Sequence, residues 1–237
     1  SGQERLEITE ITLDLVDELL QGVRAIAMSE AGGTTESRQL TAEEVKNLFD
    51  QVLDLANSKH NGNYMFSGYQ TQTAPFSRDD TLATTFDQFT VNYNGDAGET
   101  RFIVGHETEI TIDTDGRPLF QNAAAGGINI FDAMRDLIVA LESDDTAAIS
   151  DQSDLIDHGL KQINNLRAAN SPVLYQLEIS ENHWKHYKQK SQELLARKEE
   201  VDVTRAVVEL QSIELAYQTT LATTARITQQ GLINFLQ

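Results

Sequence analysis

The residues best able to do chemistry are few and scattered along the chain. His183 and His186 flank Trp184 at a spacing that sets both imidazoles on one face of a helix, as two metal ligands require. The chain has no cysteine, no third ligand stands nearby, and Lys185 and Lys188 raise the cost of holding a cation, so no metal site is expected. Trp184 reads instead as cover for a helical seam. Asp113-Thr114-Asp115-Gly116 opens like a calcium loop, but its glycine comes too early and small residues around Ala124 replace the closing glutamate. A hairpin turn is the better expectation there. Asp79-Asp80 and Asp144-Asp145 are pairs of the kind used in acid-base catalysis, yet among 37 acidic residues such neighbours arise readily and usually face water. Ser67 has no His-Asp pair in view to activate it, and Phe66 beside it reads as a packing anchor. Gly32-Gly33 and Gly126-Gly127 lack the Lys-Ser/Thr ending of a phosphate loop. The sequence thus predicts no catalytic residue, no cofactor and no metal.

Composition narrows the remaining classes. With 237 residues and 40% apolar content the chain can bury a sizeable core without disulfides. A formal net charge of -19 sets it against nucleic acid and anionic membrane surfaces, whose phosphates its field repels. The sequence lacks both a membrane-length apolar run and a basic-then-apolar leader, so neither a span nor a classical signal peptide is expected. Ser1-Gly2-Gln3 has the look of an expression remnant, and a shortened chain is expected.

The elements that must position these residues follow from periodicity. Ile8, Ile11, Leu15, Leu19, Val23 and Ile26 form one helical stripe that Gly32-Gly33 ends. A second helix is predicted from Thr41, where Thr41-Ala42-Glu43-Glu44 spaces a capping box, with a seam of Val45, Leu48, Val52 and Leu55 ending near Asn61-Gly62. From about 64 to 127 the period becomes two, as in Phe89-Thr90-Val91-Asn92-Tyr93 and Ile110-Thr111-Ile112, with turns at Asn94-Gly95-Asp96 and Asp115-Gly116. This predicts a small β-rich insert that folds by itself. Helix returns with Ile130, Met134, Leu137 and Leu141, then through Ile156, Leu160 and Ile163 to Leu195, with a restart or kink at Ser171-Pro172. A last helix is predicted from Asp202, carrying Leu210, Ile213, Tyr217, Leu221, Ala225, Leu232 and Phe235 on one face. Its other face is rich in uncharged Thr219, Thr220, Thr223, Thr224, Thr228, Gln229 and Gln230, which suits packing between subunits.

Three segments carry a family resemblance. Asp54-Leu55-Ala56-Asn57-Ser58-Lys59, Asn63-Tyr64-Met65-Phe66-Ser67-Gly68 and Thr73-Ala74-Pro75-Phe76 together resemble the helix-to-insert junction of the flagellar hook-filament junction (hook-associated) proteins of the flagellin superfamily. Tyr93-Asn94-Gly95-Asp96, Glu99 and Ile103-Val104-Gly105 are similar to that family's outer-domain hairpin. Val201-Asp202-Val203, Ala216-Tyr217-Gln218, Ala225-Arg226-Ile227 and Leu232-Ile233-Asn234-Phe235-Leu236 resemble the superfamily's C-terminal helix. The family's leading segment has no counterpart before Glu4, and Gly22 departs from its usual helix former.

The resemblance implies a mainly α fold: a long helical rod built from both chain ends, residues 4–61 and 128–237, with residues 62–127 inserted as a β-rich outer domain. Residues from about 205 to 237 correspond to the inner-tube helix, and Leu210, Ile213, Tyr217, Leu221, Ala225, Leu232 and Phe235 to subunit-interface positions. Tyr64, Phe66, Ser67, Gly68, Pro75 and Phe76 carry the family motif. The implied function is structural, joining filament to hook outside the cell, without a cleaved signal peptide. The implied partners are a junction partner and flagellin, further copies in a ring or tube, an export chaperone and the flagellar type III export apparatus. Leu20, Val23 and Arg24 resemble part of the helix read by an innate immune receptor, although Gly22 counts against that recognition and an ordinary core stripe is the plainer reading. Filament flagellin is one alternative. A carbohydrate-binding adhesin using Tyr64, Tyr69 and Tyr93 on the insert is another.

Overall fold

The computed structural model describes residues 2–79, 88–103, 109–113, 115–122, 124 and 126–235. Two helices open the chain, α1 (Gly2–Glu30) and α2 (Thr35–Ala56). Short antiparallel pairs follow: β1 (Lys59–His60) with β2 (Asn63–Tyr64), β3 (Phe76–Asp79) with β4 (Thr90–Tyr93), and β5 (Glu99–Ile103) with β6 (Glu109–Asp113). The chain returns to helix in α3 (Arg117–Phe120), α4 (Ile130–Glu142) and α5 (Thr146–Phe235). This is the mainly helical fold with a small sheet region that the sequence predicts. Two compact units divide it within α5, residues 1–180 and 181–237. Among the described residues no helix is long and apolar enough to cross a membrane.

The buried stripe of α1 runs through Leu6, Leu13, Val16, Leu20, Val23 and Ala27, at the alternating three- and four-residue steps of a bundle helix. The stripe expected from sequence overlaps it at one edge: Val23 is buried and Ile8, Leu19 and Ile26 pack against the core, but Ile11 is 61% and Leu15 44% exposed. Both sets obey helical spacing, and only packing decides between them. In α2 the seam holds, with Val45 and Val52 buried beside Ala42, Phe49 and Ala56, and Leu48 and Leu55 packed against it. Its start does not: Thr34 caps the helix by accepting from the Ser37 N–H at 3.3 Å, and the Thr41 hydroxyl, inside the helix, bonds the Ser37 and Arg38 carbonyls. α4 is buried on nearly every side, as its high apolar content demands.

Polar contacts fix α1 along the first part of α5. Asn164 donates to Asp17 at 2.7 Å, Arg167 meets Asp14 at 2.6 Å and Glu10 at 3.5 Å, Asn170 donates to Glu10 at 3.1 Å, and Arg24 lies 3.4 Å from Asp157. Helix α5 passes through Pro172 without restarting, and no new helix begins at Asp202. Proline leaves the Ala168 carbonyl without its helical donor. Pro172 is exposed, so water can meet that carbonyl, and the Ser171 hydroxyl donates one residue earlier to the Arg167 carbonyl at 3.1 Å instead of capping a new helix.

The β segment does not close on itself. Phe66, Phe76, Phe89, Val91 and Phe120 share one core with Phe49 of α2 and Phe131 of α4. The Phe76 ring centroid lies 5.2 Å from Phe120, 5.3 Å from Phe131 and 5.2 Å from Tyr93, while Phe49 lies 5.2 Å from Phe89 and 5.8 Å from Phe131. This common core overturns the expectation that the insert folds independently. Joining residue 62 directly to residue 128 is therefore expected to abolish cooperative melting of the first unit, read by helical circular dichroism. Phe76→Ala should cost about 3–5 kcal/mol in urea unfolding, the usual loss for a buried phenylalanine. A cooperative, undiminished transition in both proteins would show the two cores to be separate.

Candidate assembly surface

The motif residues converge where α2 hands over to the strands. Helix α2 ends at Ala56, and the next side chain, Asn57, takes the place of a neighbouring strand. Its Oδ1 accepts from the Phe76 N–H at 2.9 Å and its Nδ2 donates to the Phe76 carbonyl at 2.8 Å, so one amide pins the first residue of β3. The hairpin β1–β2 turns at Asn61 and Gly62, with φ of 49° and 81°, the left-handed pair a tight two-residue turn needs. Tyr64 is half-buried with the Lys59 ammonium 4.3 Å above its ring. Phe66 and Phe76 are in the core, Ser67 is fully buried, and the Pro75 carbonyl accepts from the Asn94 N–H at 2.7 Å.

Residues 94–98 do not form a hairpin turn, because β4 pairs with β3 and β5 with β6. They lie against the motif: the Asp96 N–H donates to the Ser67 carbonyl at 3.2 Å and the Tyr69 N–H to the Asp96 carboxylate at 2.7 Å. Gly68, at φ +66°, has no room for a Cβ beside Asp96 and Gly98. Val104 and Gly105 of the expected hairpin lie outside the described residues, as do Thr114, Asp80 and Leu236.

Asp115 and Gly116 also depart from a hairpin turn. Asp115 bridges to Ser67 and leads into α3. Its buried carboxylate holds Arg117 at 2.7 Å, and the Tyr93 hydroxyl oxygen lies 3.0 and 3.2 Å from the Phe66 and Asp96 carbonyls, which compete for its one proton. Burial opposes the charge on Asp115, but hydrogen bonds from the Arg117 side chain and backbone and from Tyr93 outweigh it and hold the carboxyl below its usual range. Burial pushes the Tyr93 phenol up, and the nearby Asp115 charge adds to the effect. Tyr93 is thus tied into the core and not presented in a groove, unlike Tyr69, which is 68% exposed.

The remaining candidates resolve into structural contacts or open surface. Of the Asp144-Asp145 pair, Asp145 caps α5 by accepting from the Ala147 and Ala148 N–H groups at 3.1 Å, while Asp144 meets Arg38 and the Thr35 hydroxyl. A hollow of about 490 Å³ between the 118–127 segment and α5 is lined by Pro118, Leu166, His158, Lys161 and Gln162, with the Gln162 amide already bonded to the Leu119 and Ile128 backbone. Among the described residues no three His, Asp or Glu side chains are placed to hold a metal, and His183 and His186 are exposed. Trp184, 56% exposed, sits edge-on to Tyr187 at 5.8 Å.

In the second unit every described side chain from 181 to 228 is exposed. Leu210, Ile213, Tyr217, Leu221 and Ala225 lie on this surface, while the side chains of Leu232 and Phe235 lie outside the described residues. The threonines of this helix are less polar than their names suggest, and Thr224 and Thr228 share the face of Leu210, Tyr217 and Leu221 by helical spacing. Thr219, Thr220, Thr223, Thr224 and Thr228 each donate to the carbonyl four residues back, at 2.7–2.8 Å, which uses their hydroxyl protons within the helix. Sequence spacing alone does not reveal this. Charge is partitioned as well: residues 1–180 carry 11 basic against 30 acidic residues, whereas residues 181–237 carry 7 of each.

These features define a flagellin-like architecture, long helices from both chain ends with a small strand region joined to their core. Within that class, the chain is similar in sequence to flagellar hook-associated protein 3 of Escherichia coli, at 26% identity over 191 residues, or 76% of this chain and 60% of that protein. The chain thus spans about three fifths of its curated relative's length. Flagellar hook associated protein-3 of Legionella pneumophila has the same fold, with a TM-score of 0.68 at 18% identity over 84% of this chain and 93% of that one. Bacillus cereus flagellin superposes less closely, with a TM-score of 0.51 at 18% identity over 76% and 84% of the two chains. No protein-family model matches the chain.

The Asp115–Arg117 pair yields a pH prediction. A carboxyl held below its unfolded pKa adds stability that is present above the unfolded value and is lost as pH falls through the folded one. Asp115→Asn should therefore destabilise the first unit by about 1.5–3 kcal/mol at neutral pH, the loss of hydrogen bonds to a charged group. The difference from the parent protein should vanish in acid. Urea unfolding across that range checks it, and a difference independent of pH would refute the assignment.

Proposed function

We propose that the chain is a structural axial subunit of the bacterial flagellum that joins the filament to the hook, and that it is not an enzyme. The observation that carries this reading is the 203–228 helix, whose apolar residues are exposed and whose threonine hydroxyls are turned onto its own backbone. A lone helix with such a surface is only marginally stable in water, since most helical stability comes from packing. In this proposal Leu210, Ile213, Tyr217, Leu221 and Ala225 on that stretch, with Leu232 and Phe235 beyond it, are the subunit-interface residues. Similarity to a hook-associated protein supports the junction over the filament body, and the tethered Tyr93 counts against an aromatic sugar-binding platform.

In this reading residues 4–61 and 128–237 form the axial rod, and the part from about 205 lines the inner tube. Residues 62–127 face outward, and Tyr64, Phe66, Ser67, Gly68, Pro75 and Phe76 fix the passage between them. The partners are flagellin, a second hook-associated protein and further copies of the chain. The protein reaches the outside unfolded through the flagellar type III export apparatus, held by a chaperone, with no cleaved signal peptide.

Electron microscopy of cells carrying a tagged full-length protein tests the proposal, with label expected as a single band at the hook-filament boundary. Label along the filament would transfer the chain to the flagellins. In the free protein, amides of residues 203–228 should exchange rapidly while those of Val45 to Leu55 in α2 are protected. Equal, strong protection in both would show that the helix needs no partner.

A further inference from the structure

An asparagine followed by glycine can react with its own backbone, because a residue without a Cβ leaves its nitrogen open to the asparagine side-chain carbon. The chain has two such steps, Asn61-Gly62 and Asn94-Gly95, and the structure holds them very differently. Asn94 is fixed at both ends. Its N–H donates to the Pro75 carbonyl at 2.7 Å, and its Nδ2 donates to the Ser77 hydroxyl at 2.8 Å and the Ala74 carbonyl at 3.4 Å. Gly95 has no room for a Cβ against the Tyr93 hydroxyl and the Ser67 carbonyl, so its peptide cannot swing toward the Asn94 side chain.

Asn61 has far fewer restraints. Its side-chain amide has one partner among the described residues, the ring of the adjacent His60 at 2.8 Å, and a Cβ added at Gly62 would meet nothing within 4 Å. The hairpin around it pairs only Lys59 with Tyr64 and His60 with Asn63, and none of its side chains belongs to the shared core. Ribbons this short are marginal in water. Attack requires Asn61 to leave the left-handed turn, where its φ is 49°, so the reaction waits on local opening, and opening is easiest where few contacts resist it.

We propose that Asn61 is a site of spontaneous covalent modification, converting to aspartate and isoaspartate, while Asn94 keeps its amide. The Gly62 nitrogen gives its proton to solvent and bonds to the Asn61 side-chain carbon; the bond from that carbon to Nδ2 breaks, and ammonia leaves. Water then opens the cyclic imide. Attack at the side-chain carbonyl restores the ordinary backbone with an aspartate, and attack at the backbone carbonyl leaves the chain running through the side-chain carbon as isoaspartate. Either product sets a new carboxylate next to His60, which already has Glu4 at 4.0 Å. Isoaspartate also lengthens the backbone by one carbon inside a tight turn. Both changes fall on the hairpin that leads from α2 into the motif at Tyr64 and Phe66, so the chain carries a mark of its age at the passage between its helical and strand parts.

Trypsin separates the two sites, since cleavage after Lys59, Arg78 and Arg101 places Asn61 in residues 60–78 and Asn94 in residues 79–101. After weeks at mildly alkaline pH, the 60–78 peptide should gain the mass of an amide turned to an acid. It should also split chromatographically into two isomers, one of them a substrate for an isoaspartyl methyltransferase. Conversion should run at least about tenfold faster than in 79–101, because one site opens locally and the other does not, in this chain and in the full-length protein alike. In concentrated urea the two rates should converge. Asn61→Gln should remove the gain from the 60–78 peptide. Equal conversion of the two sites in the folded protein, a difference that persists in urea, or a gain that survives Asn61→Gln overturns the assignment.

Discussion

The Phe76 ring is the point at which the helical and strand parts of the first unit become one structure. It touches Phe120, Phe131 and Tyr93 at once, and it is held by the Asn57 amide that closes α2. Aromatic pairs of this kind add about 0.5–1.5 kcal/mol each beyond their buried area. The larger effect is geometric. Two-stranded ribbons are marginal in water, and β3–β4 persists because Phe76, Phe89 and Val91 are buried against α2 and α4. In return, those residues help cover Phe49 and Phe131, which also meet each other across α2 and α4.

That dependence explains what the sequence could and could not disclose. The amphipathic helices, the seam through Val45 and Val52, the strand around Val91 and the glycine breaks were legible, because each is written in local spacing. The shared core was not, since alternation identifies a strand without saying what its inner face meets. Asn57 lay in the motif but gave no sign that its side chain would act as a strand edge. Asp115 looked like a turn residue, and its pairing with Arg117 depends on Ser67 and Tyr93, brought in from distant segments. In α1, two stripes both satisfy helical spacing. The carboxylates of Glu10 and Asp17, which accept from Asn170 and Asn164 of α5, flank the face with Leu13 and Leu20, leaving Ile11 and Leu15 toward solvent.

Pro172 shows the same limit in the opposite direction. Local chemistry favours ending a helix there, at a cost of about 3 kcal/mol for an interior proline. Continuation wins because Leu177 is buried against Leu6 one turn further on, with Val173 and Leu174 packed beside them, so residues beyond the proline still have a surface to cover. Past Ser180 the described side chains are exposed up to residue 228.

The partition of charge follows from repetition in the proposed assembly. A ring sets the same residue of every copy at the same radius, so any charge near the axis faces its own replicas at the closest spacing, where like charges repel most. Charges farther out are spread apart and screened over about 8 Å at physiological ionic strength. In such an assembly the stretch from about 205, proposed to line the inner tube, is where charge is least tolerable. Residues 1–180 hold the whole excess, while 181–237 balance and the stretch from Leu215 to Ala225 has no charged residue. Threonine suits such a stretch better than serine or glutamine. Its hydroxyl can satisfy itself on the carbonyl four residues back while a methyl remains to pack. On that proposal this helix can lie against neighbours on several sides without burying an unpaired threonine donor, and the few-charged face that looked merely polar in sequence is suited to packing.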